Sequence, residues 1–222
     1  SAQFSAPDAK VLVVDDNEMN RKVFINLLKK TKINISEAAS GMECIEMIKQ
    51  TRFDIIFMDH MMPVMDGIQA LERVRNDEES LCRDVPVIAL TANALAGAKE
   101  FYLEAGFDDF LSKPINPQKL EKMISAVLSP SLISAAENEP DNSEKIELPI
   151  INGIDWNYAR LHFDDDKSML ETIDMFRRSV AKDTDELDSF YFNIDTEEAV
   201  KSYRIKVHGM KSTASLIGII RL

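Results

Sequence analysis

The chain has 222 residues, and Lys+Arg 26 against Asp+Glu 38 leaves a net charge of −12, which argues against a surface that neutralises nucleic-acid phosphates or docks on anionic lipid. A hydrophobic share of 45% is in the globular range, and the length fits one large domain or two small ones. No apolar run nears the ~20 residues that span a bilayer, and the first five residues lack the basic and apolar regions of a secretory signal.

Strand and helix patterns alternate through the first half. Lys10–Asp15 is a β-branched run ending in Asp15-Asp16-Asn17, and Asn17 can cap a helix that carries Met19, Val23, Leu27 and Leu28 at helical spacing. Ile33–Glu37 predicts a second strand and Ser40–Gln50 a second helix. Phe53–Asp59 is an apolar strand that again ends in Asp, and Met65-Asp66-Gly67 turns into a helix with Ile68, Leu71 and Val74. Val85–Leu90 predicts a fourth strand ending at Thr91, followed by a helix over Ala94–Ala105 that Gly106 stops. Phe107–Ser112 predicts a fifth strand ending at Lys113-Pro114, and Asn116–Leu128 a last helix. Five such units with apolar strands imply an α/β fold, a doubly wound five-stranded parallel sheet covered on both faces. Its ligand site would lie beyond the carboxyl ends of the strands.

Composition then changes. Residues 129–152 are rich in Ser, Pro, Asn and Glu and read as an acidic, mobile linker. After Gly153-Ile154-Asp155 the pattern is helical, with Met169, Ile173, Phe176, Val180, Leu187 and Phe190 largely on one face. The expected organisation is a domain over 1–128, a linker over 129–152, and a partial α-helical bundle over 153–222. Cys44 and Cys82 are far apart and outside any CxxC spacing, and read as reduced thiols of a cytoplasmic protein.

The predicted strand ends carry Asp15, Asp16, Asp59, Thr91 and Lys113. Three converging carboxylates repel one another unless a cation neutralises them. Oxygen ligands and the lack of a Cys or His cluster favour Mg²⁺ over zinc. His60 follows Asp59 on a strand, so it is expected to face away from the pocket. Asp59 has the features of a carboxylate nucleophile toward phosphorus, which needs its three equatorial oxygens stabilised. Mg²⁺ held by Asp15 and Asp16, the Lys113 ammonium and the Thr91 hydroxyl would supply one contact each.

Val-Asp15-Asp16-Asn, Met58-Asp59-His-Met-Met-Pro63-Val-Met-Asp66-Gly67, Ala-Leu-Thr91-Ala and Ser-Lys113-Pro114 resemble, in order, the receiver domain of two-component signalling. The resemblance covers about residues 9–128. It implies a flavodoxin-like fold and Mg²⁺-dependent phosphorylation of Asp59 by a phosphohistidine donor. It further implies metal binding by Asp16, Asp59 and the Met61 carbonyl, with Asp15 acting through water. Thr91 and Phe110 map onto the family's switch pair, and the Lys113–Pro114 peptide would be cis. Family members often carry Tyr at the position of Phe110; phenylalanine keeps the ring and excludes any partner contact through a hydroxyl. Met61 and Asn93 fall where the family varies in ways that tune phosphoryl lifetime.

In the second half, Arg204, His208, Lys211, Ser212 and Ser215 share a polar helical face. His208 is expected to point outward there, with the apolar stripe on the other side, whereas His162 reads as a surface residue in a loop. Val207-His208-Gly-Met-Lys211-Ser212-Thr-Ala-Ser-Leu-Ile-Gly218 resembles the histidine phosphotransfer (HPt) signature. That pattern has Lys at +3, usually Gly at +4, and Gly at +10; here Ser212 stands at +4. Gly153-Ile154-Asp155 and the Met169–Phe176 helix fit the same family. The order of the two resembles the carboxyl-terminal part of a hybrid sensor histidine kinase. It implies a relay from a kinase histidine to Asp59, to His208, with Lys211 assisting, and on to a separate response regulator. The implied partners are therefore a sensor histidine kinase domain and a downstream receiver, with neither nucleic acid nor direct membrane contact.

Two rival readings are an Asp-nucleophile phosphohydrolase and a non-phosphorylated interaction module. Met61 occupies the place where such a hydrolase has its general acid. A dinucleotide-binding domain would need a Gly-rich loop where Asp15-Asp16-Asn17 stands. A phosphotransfer bundle needs about four long helices. The chain stops just after the His208 helix, so it is expected to be a fragment whose exposed stripe Val207, Met210, Ala214 and Ile217 packs on the receiver, pairs with another copy or remains partly disordered.

Overall fold

The computed structural model describes residues 4–92, 97–136, 147–163, 165–192 and 194–219. The chain divides into two units, Ser1–Pro140 and Asp141–Leu222.

The first unit opens with β1 (Phe4–Ser5) and then alternates β2 (Lys10–Val14), α1 (Glu18–Leu28), β3 (Asn34–Ala38), α2 (Gly41–Gln50), β4 (Ile55–Asp59), α3 (Gly67–Asn76), β5 (Val87–Thr91), α4 (Ala98–Glu104), β6 (Asp109–Ser112) and α5 (Pro117–Val127). Strands β2 to β6 form one parallel sheet in the order β3-β2-β4-β5-β6. This is the doubly wound, flavodoxin-like architecture expected from the alternation. Every residue of β4 and of β5 is buried, which is why both read as nearly unbroken apolar runs. The edge strand β3 carries Asn34 and Glu37 exposed, a polar edge that discourages further pairing.

Local chemistry fixes the helix starts. The side chains of Asn17, Ser40, Asp66 and Asn116 accept backbone N–H bonds at the starts of α1, α2, α3 and α5, and Asp66 with Gln69 forms a reciprocal capping box. Gly106, at φ +97°, takes the left-handed conformation just beyond α4. Helix α4 starts at Ala98, later than the expected Ala94; residues 93–96, including Asn93, lie outside the described residues.

The expected linker is partly structured. After a single turn at Pro130–Leu132, β7 (Ser134–Ala135) pairs antiparallel with β1, and Ser134 Oγ donates to the Ser5 carbonyl at 3.1 Å. Phe4 is buried there. Residues 137–146 of the linker lie outside the described residues.

The second unit comprises α6 (Trp156–Ala159), a turn at Arg160–His162, α7 (Asp166–Phe192) and α8 (Glu197–Leu216). Helices α7 and α8 pack along each other as a helical hairpin. Met169 and Phe176 from α7 and Ala199 and Ala214 from α8 are buried. Lys206 reaches from α8 to Asp183 and Glu186 of α7, at 2.6 and 2.5 Å. Past α8, Gly218 at φ +80° lies so close to Asp155 that a Cβ would sit 2.5 Å from its carbonyl oxygen. The Asp155 N–H donates to the Gly218 carbonyl at 2.8 Å, and Ile154 bridges Ile219. The two separated sequence features, Gly153-Ile154-Asp155 and Gly218, are thus one packed corner.

Two expectations are corrected in this unit. His162 is buried, its ring against Tyr158, and burial pushes its pKa below the usual histidine value. The apolar stripe is not uniformly exposed: Ala214 and Ile217 are fully buried and only Val207 stands out. The outward face of α8 runs through Val200, Arg204, Val207 and Lys211, turned from the expected one because Lys206, Thr213 and Ile217 face the interior.

Candidate functional site

The parallel register brings the strand ends to one edge. Asp59 ends β4 and pairs with Leu90, and Thr91 ends β5 and pairs with Ser112, one residue before Lys113. Asp15 and Asp16 follow β2. Asp15, Asp59, Thr91 and Lys113 are buried, whereas Asp16 is exposed at the rim. Carboxylate oxygens of Asp15, Asp16 and Asp59 lie within 4.8 Å of one another. Lys113 Nζ lies 2.6 Å from Asp15 Oδ2 and 3.0 Å from Asp59 Oδ1. Asp15 is fixed further, because its Oδ1 accepts from Asn17 N–H at 2.9 Å and Asn20 Nδ2 at 3.1 Å. The Lys113–Pro114 peptide is cis, as the resemblance implied.

Burial dominates the electrostatics. It pushes the Asp59 carboxyl up to about 7, with Lys113 opposing and the charges of Asp15 and Asp16 adding. Lys113 moves upward despite its burial, because Asp15 and Asp59 hold its proton. Asp59 Oδ1 is buried, and its partner is Lys113 Nζ, 3.0 Å away and shared with Asp15. One lysine against three carboxylates leaves negative charge in excess, and this set of oxygen donors fits a hard divalent cation.

The loop leaving β4 is shaped for this site. It contains Met61, half-buried, and Val64 at φ +66°, a strained conformation for a β-branched residue. Gly67 N–H donates to the His60 carbonyl at 2.9 Å. A Cβ on Gly67 would lie 2.3 Å from the Asp59 carbonyl oxygen, so the loop closes on Asp59 only with glycine here. His60 does point away from the acidic cluster, with its Nδ1 2.8 Å from the Tyr102 hydroxyl. The ring of Phe110 is partly buried and stacks on Tyr102, centroids 5.9 Å apart. Tyr102 lies beside both Thr91 and Phe110, yet nothing in its sequence neighbourhood marks it, since aromatics on a helix read as core. Asn20 was likewise hidden among the polar positions of α1.

In the second unit, His208 does not stand outward as expected. Its ring is half-buried and Nε2 is shielded from solvent, as is Ser212 Oγ, while Lys211 is exposed. The reason is the rotation of α8 described above, which places His208 and Ser212 at the flank of the outward face.

A buried aspartate thus ends the central strand of a doubly wound sheet, beside a lysine and two further carboxylates. Residues 11–125 match the family model of the response regulator receiver domain, and the chain belongs to that family. It is 38% identical over 149 residues to the signal transduction histidine-protein kinase BarA of Shigella flexneri, which covers 67% of this chain and 16% of that protein. It is also 38% identical over 121 residues to hybrid signal transduction histidine kinase I of Dictyostelium discoideum, covering 52% and 7% respectively. The chain therefore spans less than a fifth of the length of these relatives. Among solved structures, it is similar to the Saccharomyces cerevisiae co-crystal structure of the histidine phosphotransfer signaling protein Ypd1 and the receiver domain of its downstream response regulator Ssk1. That match has 32% identity and a TM-score of 0.52, and covers 57% of this chain and 93% of the matched one. Among the described residues, no helix is long and apolar enough to cross a membrane.

Proposed function

We propose that the receiver unit accepts a phosphoryl group on Asp59 from a kinase phosphohistidine, and that the helical unit carries it onward on His208 to a separate response regulator. The observation that carries the first half is the buried Asp59 carboxylate beside Lys113, inside an acidic cluster. An Asp59 oxygen attacks the phosphorus; the new P–O bond forms as the P–N bond breaks, and the imidazole, protonated beforehand on its other nitrogen, leaves as a neutral ring with the P–N electron pair. Lys113 holds the carboxylate in line and then the charge of the phosphoryl oxygens, and the Thr91 hydroxyl donates to another. Asp15, Asp16, Asp59 and the Met61 carbonyl would hold Mg²⁺, which when bound neutralises charge on the acceptor and the phosphoryl oxygens.

The second half rests on the HPt-like pattern around His208, with Lys211 and Gly218 at matching positions and Gly218 packed against Asp155. Because Nε2 is shielded, the ring must turn outward before an acyl phosphate can reach it. A linker between the units gives an effective concentration on the order of millimolar, enough for transfer within one chain. The relatives named as histidine kinases support a kinase domain as the donor. Phosphotransfer from a radiolabelled kinase domain tests the scheme. Asp59→Asn should take no label, and His208→Gln should keep label on Asp59 but fail to pass it to a regulator. Label passed by His208→Gln as by wild type overturns the HPt half; label accepted by Asp59→Asn overturns the receiver half.

A further inference from the structure

The switch pair implied by the resemblance, Thr91 and Phe110, is contacted on both members by one side chain. Tyr102 of α4 is buried, and its hydroxyl is hydrogen-bonded to Thr91 and lies 2.8 Å from His60 Nδ1. Its ring stacks on Phe110 at an interplanar angle of 19° and meets Phe107 edge-on at 5.7 Å. A phenol has one proton to give and lone pairs to accept with. His60 Nδ1 accepts from the phenol in the tautomer that carries the ring proton on Nε2. The phenol proton then goes to His60, and the phenol oxygen accepts the Thr91 proton. In that tautomer the hydroxyls form a chain of donation from Thr91 to Tyr102 to His60.

We propose that Tyr102 is a positioning residue that holds both members of the switch in the arrangement preceding phosphorylation. Thr91 has a single hydroxyl proton, and while Tyr102 accepts it no phosphoryl oxygen can. Phe110 has no hydroxyl, so packing sets its position, and the ring it stacks on is that of Tyr102. Phosphorylation must break the Thr91–Tyr102 bond to recruit the Thr91 hydroxyl. The state with that bond is favoured before phosphorylation, and a ligand that needs the other state binds with its affinity reduced accordingly. This inference rests on the reading of Asp59 as phospho-acceptor.

The test titrates the full chain with beryllofluoride and Mg²⁺, a phosphoryl mimic, alongside thermal melts. Tyr102→Phe keeps the ring and removes the hydroxyl; it should bind about fivefold tighter than wild type, the shift one neutral hydrogen bond produces. His60→Leu takes away the phenol's acceptor and frees the phenol proton for Thr91; it should shift affinity the same way, and it decides the matter if Tyr102→Phe fails to fold. Unchanged or weaker affinity, with or without a lower melting temperature, means Tyr102 only packs, and overturns the proposal while leaving Asp59 phosphorylation intact. A wild-type chain that binds no beryllofluoride overturns the Asp59 reading and this inference together.

Discussion

At the scale of single residues, the site is governed by the cost of an ionised carboxylate out of water. In the unfolded chain Asp59 titrates near an ordinary aspartate value, about 4. In the folded receiver its carboxyl is pushed up to about 7. Between those values the folded state binds more protons than the unfolded state, so stability falls as pH rises through the window and is lowest above about 7. Asp59→Asn removes this penalty. In metal-free buffer above pH ~7 the variant should melt a few degrees higher than wild type, and the gap should close as pH falls below ~4, where wild-type Asp59 is protonated in both states. A gap of constant size across a series of melts from acid to neutral pH would show that the charge of Asp59 is not its source. Asp15, Asp16, Asp59, Thr91 and Lys113 were legible in the sequence because each stands where an apolar strand run stops. Tyr102 and His60 were not: their meeting depends on how α4 lies over the sheet, and no spacing along the chain encodes that.

At the scale of elements, the receiver strands and helices follow their patterns closely, because apolar runs and capping side chains are local signals. The misses have physical causes. Strands β1 and β7 have two residues each, too few for any periodicity, and exist through pairing with one another across the unit. The facing of α8 was misread because its polar and apolar positions do not separate cleanly. Lys206, which reads as a surface charge, lies toward α7 between Asp183 and Glu186. All three side chains are partly shielded, so the cluster sits between an exposed pair and a buried one. Lys206→Met keeps the stem's packing and leaves two carboxylates near each other. It should destabilise the helical unit by about 1 kcal/mol, with the loss shrinking at high salt or at acid pH, where the carboxylates are protonated. Far-UV circular dichroism of the melting chain measures it; an unchanged midpoint would mean that packing of α7 on α8, not this cluster, sets their register.

At the scale of the whole molecule, the division into two units makes a prediction that neither unit makes alone. The acidic cluster belongs to the receiver, and among the described residues it is the one group of carboxylates found close enough to share a cation. A ligand that binds only the folded form stabilises it by RT ln(1 + [L]/Kd), about 2.7 kcal/mol at a hundredfold excess over Kd. If the units unfold independently, that free energy acts on one of them. Calorimetry of the chain should then show two transitions, and Mg²⁺ should raise one by roughly 5–10 °C and leave the other in place. Asp59→Asn should reduce the Mg²⁺ shift by removing one of the three carboxylates, while the unmoved transition stays where it was. A single transition that Mg²⁺ moves as a whole would mean that the units unfold together. The tether between them would then no longer act as a flexible linker, and the millimolar effective concentration argued for transfer from Asp59 to His208 would have to be replaced by a fixed geometry.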